Sequence, residues 1–160
     1  MSTTFLPRGK YFEDFNLGDM ITSAGRTITE ADIVNFAGLS GDFTQLHTNS
    51  EFARQGPYGG QRVAHGLLGL AVTSGLLAQL GYLEGTVLAF RELSWKFSLP
   101  VFIGDTLHAR STVAGLKPLH RLKAGVITLA IEVFNQQEQV VQSGQWVLLV
   151  ASKDAAGGQD

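Results

Sequence analysis

Val63-Ala64-His65-Gly66-Leu67-Leu68-Gly69-Leu70-Ala71-Val72-Thr73-Ser74-Gly75-Leu76-Leu77-Ala78-Gln79-Leu80-Gly81-Tyr82-Leu83 is the stretch on which the fold turns. It is long enough to suggest a bilayer span. His65, Thr73, Ser74, Gln79 and four glycines interrupt it, however, which favours a buried helix of a soluble domain and no membrane partner. Leu67, Leu68, Leu70, Val72, Leu76, Leu77 and Leu80 spread around most of the helical circumference, so a helix beginning near His65 should be buried on nearly all sides. Such a helix is central to its domain.

Downstream the period changes. Val87 to Phe97, Thr106 to Leu116, Gly125 to Phe134 and Val140 to Ala151 are long β-prone runs. In the third, Ile127, Leu129, Ile131 and Val133 alternate with Val126, Thr128, Ala130 and Glu132, which places one face on a core. Long antiparallel strands enclosing one hydrophobic helix make an α+β domain. Upstream, Thr29 and Asp32 have capping-box spacing, and Ile33, Phe36 and Ala37 continue a short helix to about Leu39. Gly41 breaks it, Gly41 to Thr48 reads as a tight polar loop, and Ser50 is the expected cap of a further turn through Phe52 and Ala53. Turn formers cluster at Gly56-Pro57-Tyr58-Gly59-Gly60, just before the central helix.

The 160 residues, 44% of them apolar, suffice for one core and are few for two, so residues 1–152 are expected to form a single domain and 153–160 a small, polar, disordered tail. With 16% charged residues and a formal net charge of -2 there is no broad basic field, and nucleic acid is not expected as a partner. The absence of cysteine removes disulfides, thiolate catalysis and cysteine-rich zinc sites. Residues 1–10 lack the apolar run of a secretory signal, which makes the cytoplasm the expected location.

Two stretches carry chemistry. Ser40-Gly41-Asp42-Phe43-Thr44-Gln45-Leu46-His47 sets a carboxylate and an imidazole five residues apart in a loop, where a turn can aim both at one small molecule. Imidazole titrates near neutral pH, and an adjacent carboxylate can hold its tautomer or share in activating a water. The residues alone equally allow Asp42 to make an Asx turn and His47 to pack at a helix start. In the second stretch, Arg62-Val63-Ala64-His65-Gly66-Leu67-Leu68, a turn-rich loop runs into the apolar helix. The free N–H groups of a first helical turn can hold a carbonyl that gains negative charge, and glycine at that point allows close approach; a packed His65 at a tight helix start is the plainer alternative. His108 in a strand-like run and His120 in a turn have no partners at metal-ligand spacing, and no metal is expected. Gly56 to Gly60 lacks the lysine-serine ending of a P-loop.

Phe36-Ala37-Gly38-Leu39-Ser40-Gly41-Asp42, then His47, then Phe52-Ala53, resembles the hydratase motif of MaoC-like, R-specific enoyl-CoA hydratases. Val63-Ala64-His65-Gly66 resembles that family's signature at the helix start, Ser74 falls where its helix carries a serine, and Phe97-Ser98-Leu99-Pro100-Val101-Phe102-Ile103-Gly104-Asp105 resembles its later strand-turn element. The resemblance implies a hot-dog fold, a long helix wrapped by an antiparallel sheet. It also implies a homodimer or higher homo-oligomer, an acyl-CoA substrate as in fatty acid metabolism, and no cofactor beyond the CoA of the substrate. Asp42 and His47 would activate water for addition to a trans-2-enoyl thioester, with the Gly66 N–H on the thioester oxygen and Ser74 and His65 in support. Thr44 and Gln45 depart from the usual Asn-Pro, so other contacts must order the loop. The alternatives are a hot-dog acyl-CoA thioesterase and a non-catalytic acyl-CoA-binding subunit.

Overall fold

In the computed structural model, which describes residues 8–156, the expected central helix is α4 (Gly66–Gln79). The four expected strands are β3 (Val87–Phe97), β4 (Thr106–Leu119), β5 (Ala124–Phe134) and β6 (Val140–Ala151). They pair antiparallel in the order β4-β5-β6-β3, with β1 (Met20–Thr22) and β2 (Arg26–Thr27) both on the outer side of β4. The expected alternation on β5 is present: Ile127, Leu129, Ile131 and Val133 are at most 1% exposed. They form one core with Leu68, Val72, Leu76 and Leu77 of α4. This is the α+β, hot-dog arrangement of a helix wrapped by a sheet. No helix among the described residues is long and apolar enough to cross a membrane.

Leu77 is the most completely buried apolar side chain of α4, at 1% exposure. Leu77→Ala is expected to cost about 2–5 kcal/mol, the usual range for a buried leucine that leaves a cavity. For a domain of this size each kcal/mol lowers Tm by roughly 2–4 °C. A melting temperature unchanged by Leu77→Ala would contradict the central placement of α4.

The upstream helices follow the sequence closely, with two corrections. In α1 (Glu30–Ser40) the Thr29–Asp32 capping box forms, and Gly41 closes the helix in the left-handed region at φ 76°. The tight loop expected over Gly41 to Thr48 contains a helical turn, α2 (Gln45–Thr48). Ser50 is not the cap of α3 (Ser50–Arg54). That role belongs to Asn49, whose side-chain oxygen accepts from Glu51 N–H at 3.0 Å and Phe52 N–H at 3.1 Å; asparagine caps as well as serine does.

The expected disordered tail is also corrected in part. Lys153–Ala156 forms a helical turn, α5. It is pinned where Lys153 N–H donates to the Glu13 carboxylate at 3.0 Å and Lys153 Nζ meets Asp14 at 2.5 Å. Residues 157–160 lie outside the described part. The partners of the pin are about 140 positions away in sequence, which a local reading of a polar tail does not register.

Candidate active site

Backbone contacts bring the two chemical stretches together. Val63 N–H donates to Leu46 C=O at 3.3 Å, Ala64 N–H donates to Val101 C=O at 2.8 Å, and Val63 bridges to Phe102. The approach to α4 is thus held between the turn carrying His47 and the strand-turn element after Phe97. That element is itself fixed by Asp105, whose carboxylate accepts from Phe102 N–H at 2.8 Å.

Within this frame Asp42, His47 and His65 each present a donor atom, all within 4.8 Å of one another. Two hydrogen bonds of about 2.8 Å meeting at a tetrahedral water span roughly 4.6 Å, so carboxylate and imidazole are close enough to act on the same water. Both imidazole tautomers are set by carbonyls, which can only accept. His47 Nδ1 donates to Val63 C=O at 2.6 Å, which leaves its Nε2 lone pair free. His65 Nε2 donates to the Asp42 C=O at 2.9 Å, while its Nδ1 is buried without a partner among the described residues.

The two rings stack with centroids 3.9 Å apart and planes 28° from parallel, and Phe36 packs against His65 at 5.0 Å. His65 therefore positions both Asp42, through its backbone, and His47, through its ring. Two imidazoles and a carboxylate could in principle hold a divalent metal. Of the ring nitrogens, however, His47 Nδ1 and His65 Nε2 are engaged by carbonyls and His65 Nδ1 is buried, an arrangement that suits proton transfer better.

Thr44 supplies the order that the missing proline would have given. Its N–H and its Oγ–H both donate to Asp42 Oδ1, at 3.1 and 2.6 Å, and Ser40 Oγ accepts from Asp42 N–H at 3.2 Å. Gln45 stands first in α2, where proline is the favoured residue, and its side chain accepts from Asn49 at 2.9 Å. The Thr44 hydroxyl, then its N–H, holds the exposed Asp42 carboxyl below the usual carboxylate range, with a smaller contribution from His47.

Thr44→Val removes the first of these causes and keeps the second. An NMR titration of Asp42 should therefore move upward in the variant without reaching a free aspartate's value. The sign follows from the depressed pKa: the stabilisation is present at neutral pH and is lost as pH falls through the folded-state pKa. A titration that stayed put would contradict the assigned cause.

The helix start meets His47 across a cavity of about 720 Å³ whose wall also includes Tyr58, Gly66, Leu67, Phe97 and Leu99. The His65 side chain makes no cap bond to the first turn of α4, and the Gly66 N–H has no acceptor among the described residues. That N–H is available to an oxygen in the cavity, with the positive end of the helix dipole behind it. Phe97 closes over the backbone here, so a Cβ on Gly66 would meet the Phe97 ring at 2.8 Å. Asp42 is not part of the cavity wall in the single chain.

Of the five residues singled out in the sequence, Asp42, His47, His65 and Gly66 lie together around the helix start. Ser74 does not join them: it is exposed, two turns along α4, and no hydrogen bond from it is found among the described residues. Ser40 and Thr44 contact Asp42 instead. The sequence reading passed over the Thr44 contacts and a buried Gln142 that lines the same cavity. Gln142 shares its strand face with Trp146, Leu148 and Val150, and a polar residue inside that period-two apolar pattern is the signal that marks it.

The model of the MaoC like domain matches residues 17–134. The chain is 41% identical to an (R)-specific enoyl-CoA hydratase of Rhodospirillum rubrum over 108 residues, which cover 68% of this chain and 72% of that one. It is 38% identical over 106 residues to Protein MaoC of Klebsiella aerogenes, covering 66% of this chain and 31% of that protein, so it spans about a third of the length of that relative. Among solved structures, a monoamine oxidase regulatory protein from Archaeoglobus fulgius superposes with a TM-score of 0.85 at 36% identity, over 91% of this chain and 96% of the other.

Proposed function

The chain belongs to the MaoC-like hydratase and dehydratase family, and on that premise we propose that it adds water to a trans-2-enoyl-CoA to give the (R)-3-hydroxyacyl-CoA, or removes it in reverse. The observation that carries this reading is the approach of the Asp42 carboxylate and the His47 imidazole to within 4.8 Å, no farther apart than one water can bridge, beside a free helix N-terminus.

The chemistry fits the groups. Conjugate addition needs a base for the attacking water, a proton for the α-carbon, and a donor for the thioester oxygen as negative charge moves onto it. His47 Nε2, its lone pair freed by the Nδ1 bond to Val63, is suited to take the water proton. Asp42, ionised at neutral pH, orients the water as its oxygen bonds to the β-carbon and the enoyl π electrons move toward the thioester oxygen; the proton taken up by His47 Nε2 is then given to the α-carbon on the same face, so the addition is syn and both side chains end as they began. The Gly66 N–H holds the thioester oxygen. The acyl chain lies in the cavity along Leu67, Phe97 and Leu99. The reaction so described draws on no cofactor beyond the CoA that the substrate carries.

The proposal includes a homodimer. β3 is the edge strand, and it leaves Leu88, Phe90, Leu93 and Phe97 between 44% and 56% exposed. A long apolar edge of this kind is a pairing surface unless covered. Sedimentation equilibrium should give a multiple of the 17.2 kDa chain mass, and a monomer at micromolar concentration would count against it.

A thioesterase could use the same carboxylate and helix start. The products separate the two readings. Incubation with crotonyl-CoA in deuterated water should yield (R)-3-hydroxybutyryl-CoA carrying one deuteron at the α-carbon, syn to the new hydroxyl. The S isomer would contradict the stereochemical reading, and crotonate with free thiol would favour the thioesterase.

A further inference from the structure

Gln142 is 2% exposed on the inner face of β6, a position where its neighbours on that face are apolar. Its amide is paired on both sides: Nε2 donates to the Gly66 C=O at 3.0 Å, and Oε1 accepts from the Trp95 indole N–H at 3.1 Å. An indole N–H can only donate, so the amide has one orientation, with oxygen to Trp95 and nitrogen to Gly66.

The surroundings are shaped for it. A Cβ on Gly69 would overlap the Gln142 amide, and a Cβ on Gly144, which pairs with Trp95, would overlap the backbone of Ser94. The bare backbone at Gly144 lets the Trp95 indole lie close against β6, with its N–H within reach of Gln142. Burying an amide is costly unless both ends are paired, and a leucine would fill the same space without that demand.

We propose that Gln142, held by Trp95, is a positioning residue for the oxygen-binding N–H groups at the start of α4. The proposal rests on the hydratase reading for what those groups bind. Gly66 has no side chain to restrain its two dihedrals, and at a first helical turn its N–H is unbonded; Gln142 supplies the missing restraint by direct contact from β6. The Gly66 carbonyl and the Leu67 N–H also belong to one planar peptide group. A donor on that carbonyl polarises the group and makes the Leu67 N–H a stronger donor. The relay runs from edge strand β3 through β6 to the helix start.

The test uses Gln142→Leu and Gln142→Glu in the full chain, with ¹⁵N spectra of the Gly66 and Leu67 amides and kinetics with crotonyl-CoA. Gln142→Leu should displace those two resonances more than others in α4. It should also lower kcat by about 10-fold or more, short of the roughly 10²–10³-fold loss of a whole oxyanion donor, with KM within about 2-fold. Gln142→Glu should come closest to wild-type activity at low pH and fall away from it as pH rises, because only the protonated carboxyl can donate to the Gly66 carbonyl. If Gln142→Leu does not fold, the pH dependence of Gln142→Glu against wild type carries the test.

Unmoved amides, or an unaltered kcat, would overturn the proposal; so would a Gln142→Glu profile that parallels wild type. If the wild type does not hydrate crotonyl-CoA, the hydratase reading fails separately. The shift of the Gly66 and Leu67 amides on adding butyryl-CoA then decides: present in wild type and lost in Gln142→Leu supports positioning, equal in both overturns it, and absent in both overturns it as well.

Discussion

Asp42→Asn and His47→Ala are each expected to lower kcat for crotonyl-CoA hydration by about 10²- to 10⁴-fold, the usual worth of a positioned acid or base. Asp42 is exposed, and an amide in its place can still accept from the Thr44 N–H and hydroxyl, so the loop keeps its shape while the negative charge is lost. His47→Ala gives up the hydrogen bond to Val63 C=O, which costs about 0.5–1.5 kcal/mol of stability and leaves the fold intact. Since the two groups share one water, the double variant should be scarcely slower than the worse single variant. Full activity in either folded single variant would remove that residue from the chemistry. Additive losses in the double variant would mean that the two act in separate steps.

Gly66→Ala is expected to lower kcat/KM by about 10²-fold, the scale of a misplacement of about 1 Å at a reacting centre. The new methyl would stand 2.8 Å from the Phe97 ring, so either Phe97 swings into the cavity or the first turn of α4 shifts, and both disturb the seat of the thioester oxygen. Gly75→Ala is the matched control. It lies in the same helix, a Cβ there meets nothing within 4 Å, and removing a helical glycine should stabilise by about 1 kcal/mol without changing turnover. Equal turnover in Gly66→Ala and wild type would place the oxygen site elsewhere.

How far the sequence was legible follows from how local each cause is. Central helix α4 and strands β3 to β6 could be read because their periods of hydrophobicity are properties of neighbouring residues. The alternation from Val126 to Val133 is the clearest case. Strands β1 and β2, of three and two residues, are too short to show a period, and their pairing is dictated by β4. The Thr29 cap was legible because box and helix are contiguous, whereas the choice of Asn49 over Ser50 depends on where α2 ends.

The same division holds at the site. Asp42 and His47 lie five residues apart, and a single helical turn brings them together. His65 was visible as a member of the helix start, but its stacking on His47 depends on the clamp of Val63 and Ala64 between distant segments. The Gln142 amide reaches Gly66 across 76 positions and Trp95 across 47. No local pattern fixes such contacts; they become readable only when the register of β3 on β6 places Trp95 opposite Gly144.

The measurement that tests the central claim most directly is the absorbance of the enoyl-thioester chromophore of crotonyl-CoA with purified protein, with free thiol followed in the same cuvette. Loss of the chromophore to an equilibrium mixture, at a rate proportional to protein and with no thiol released, is the expected result. A stable chromophore, or thiol appearing in step with its loss, would contradict water addition as the reaction of this site.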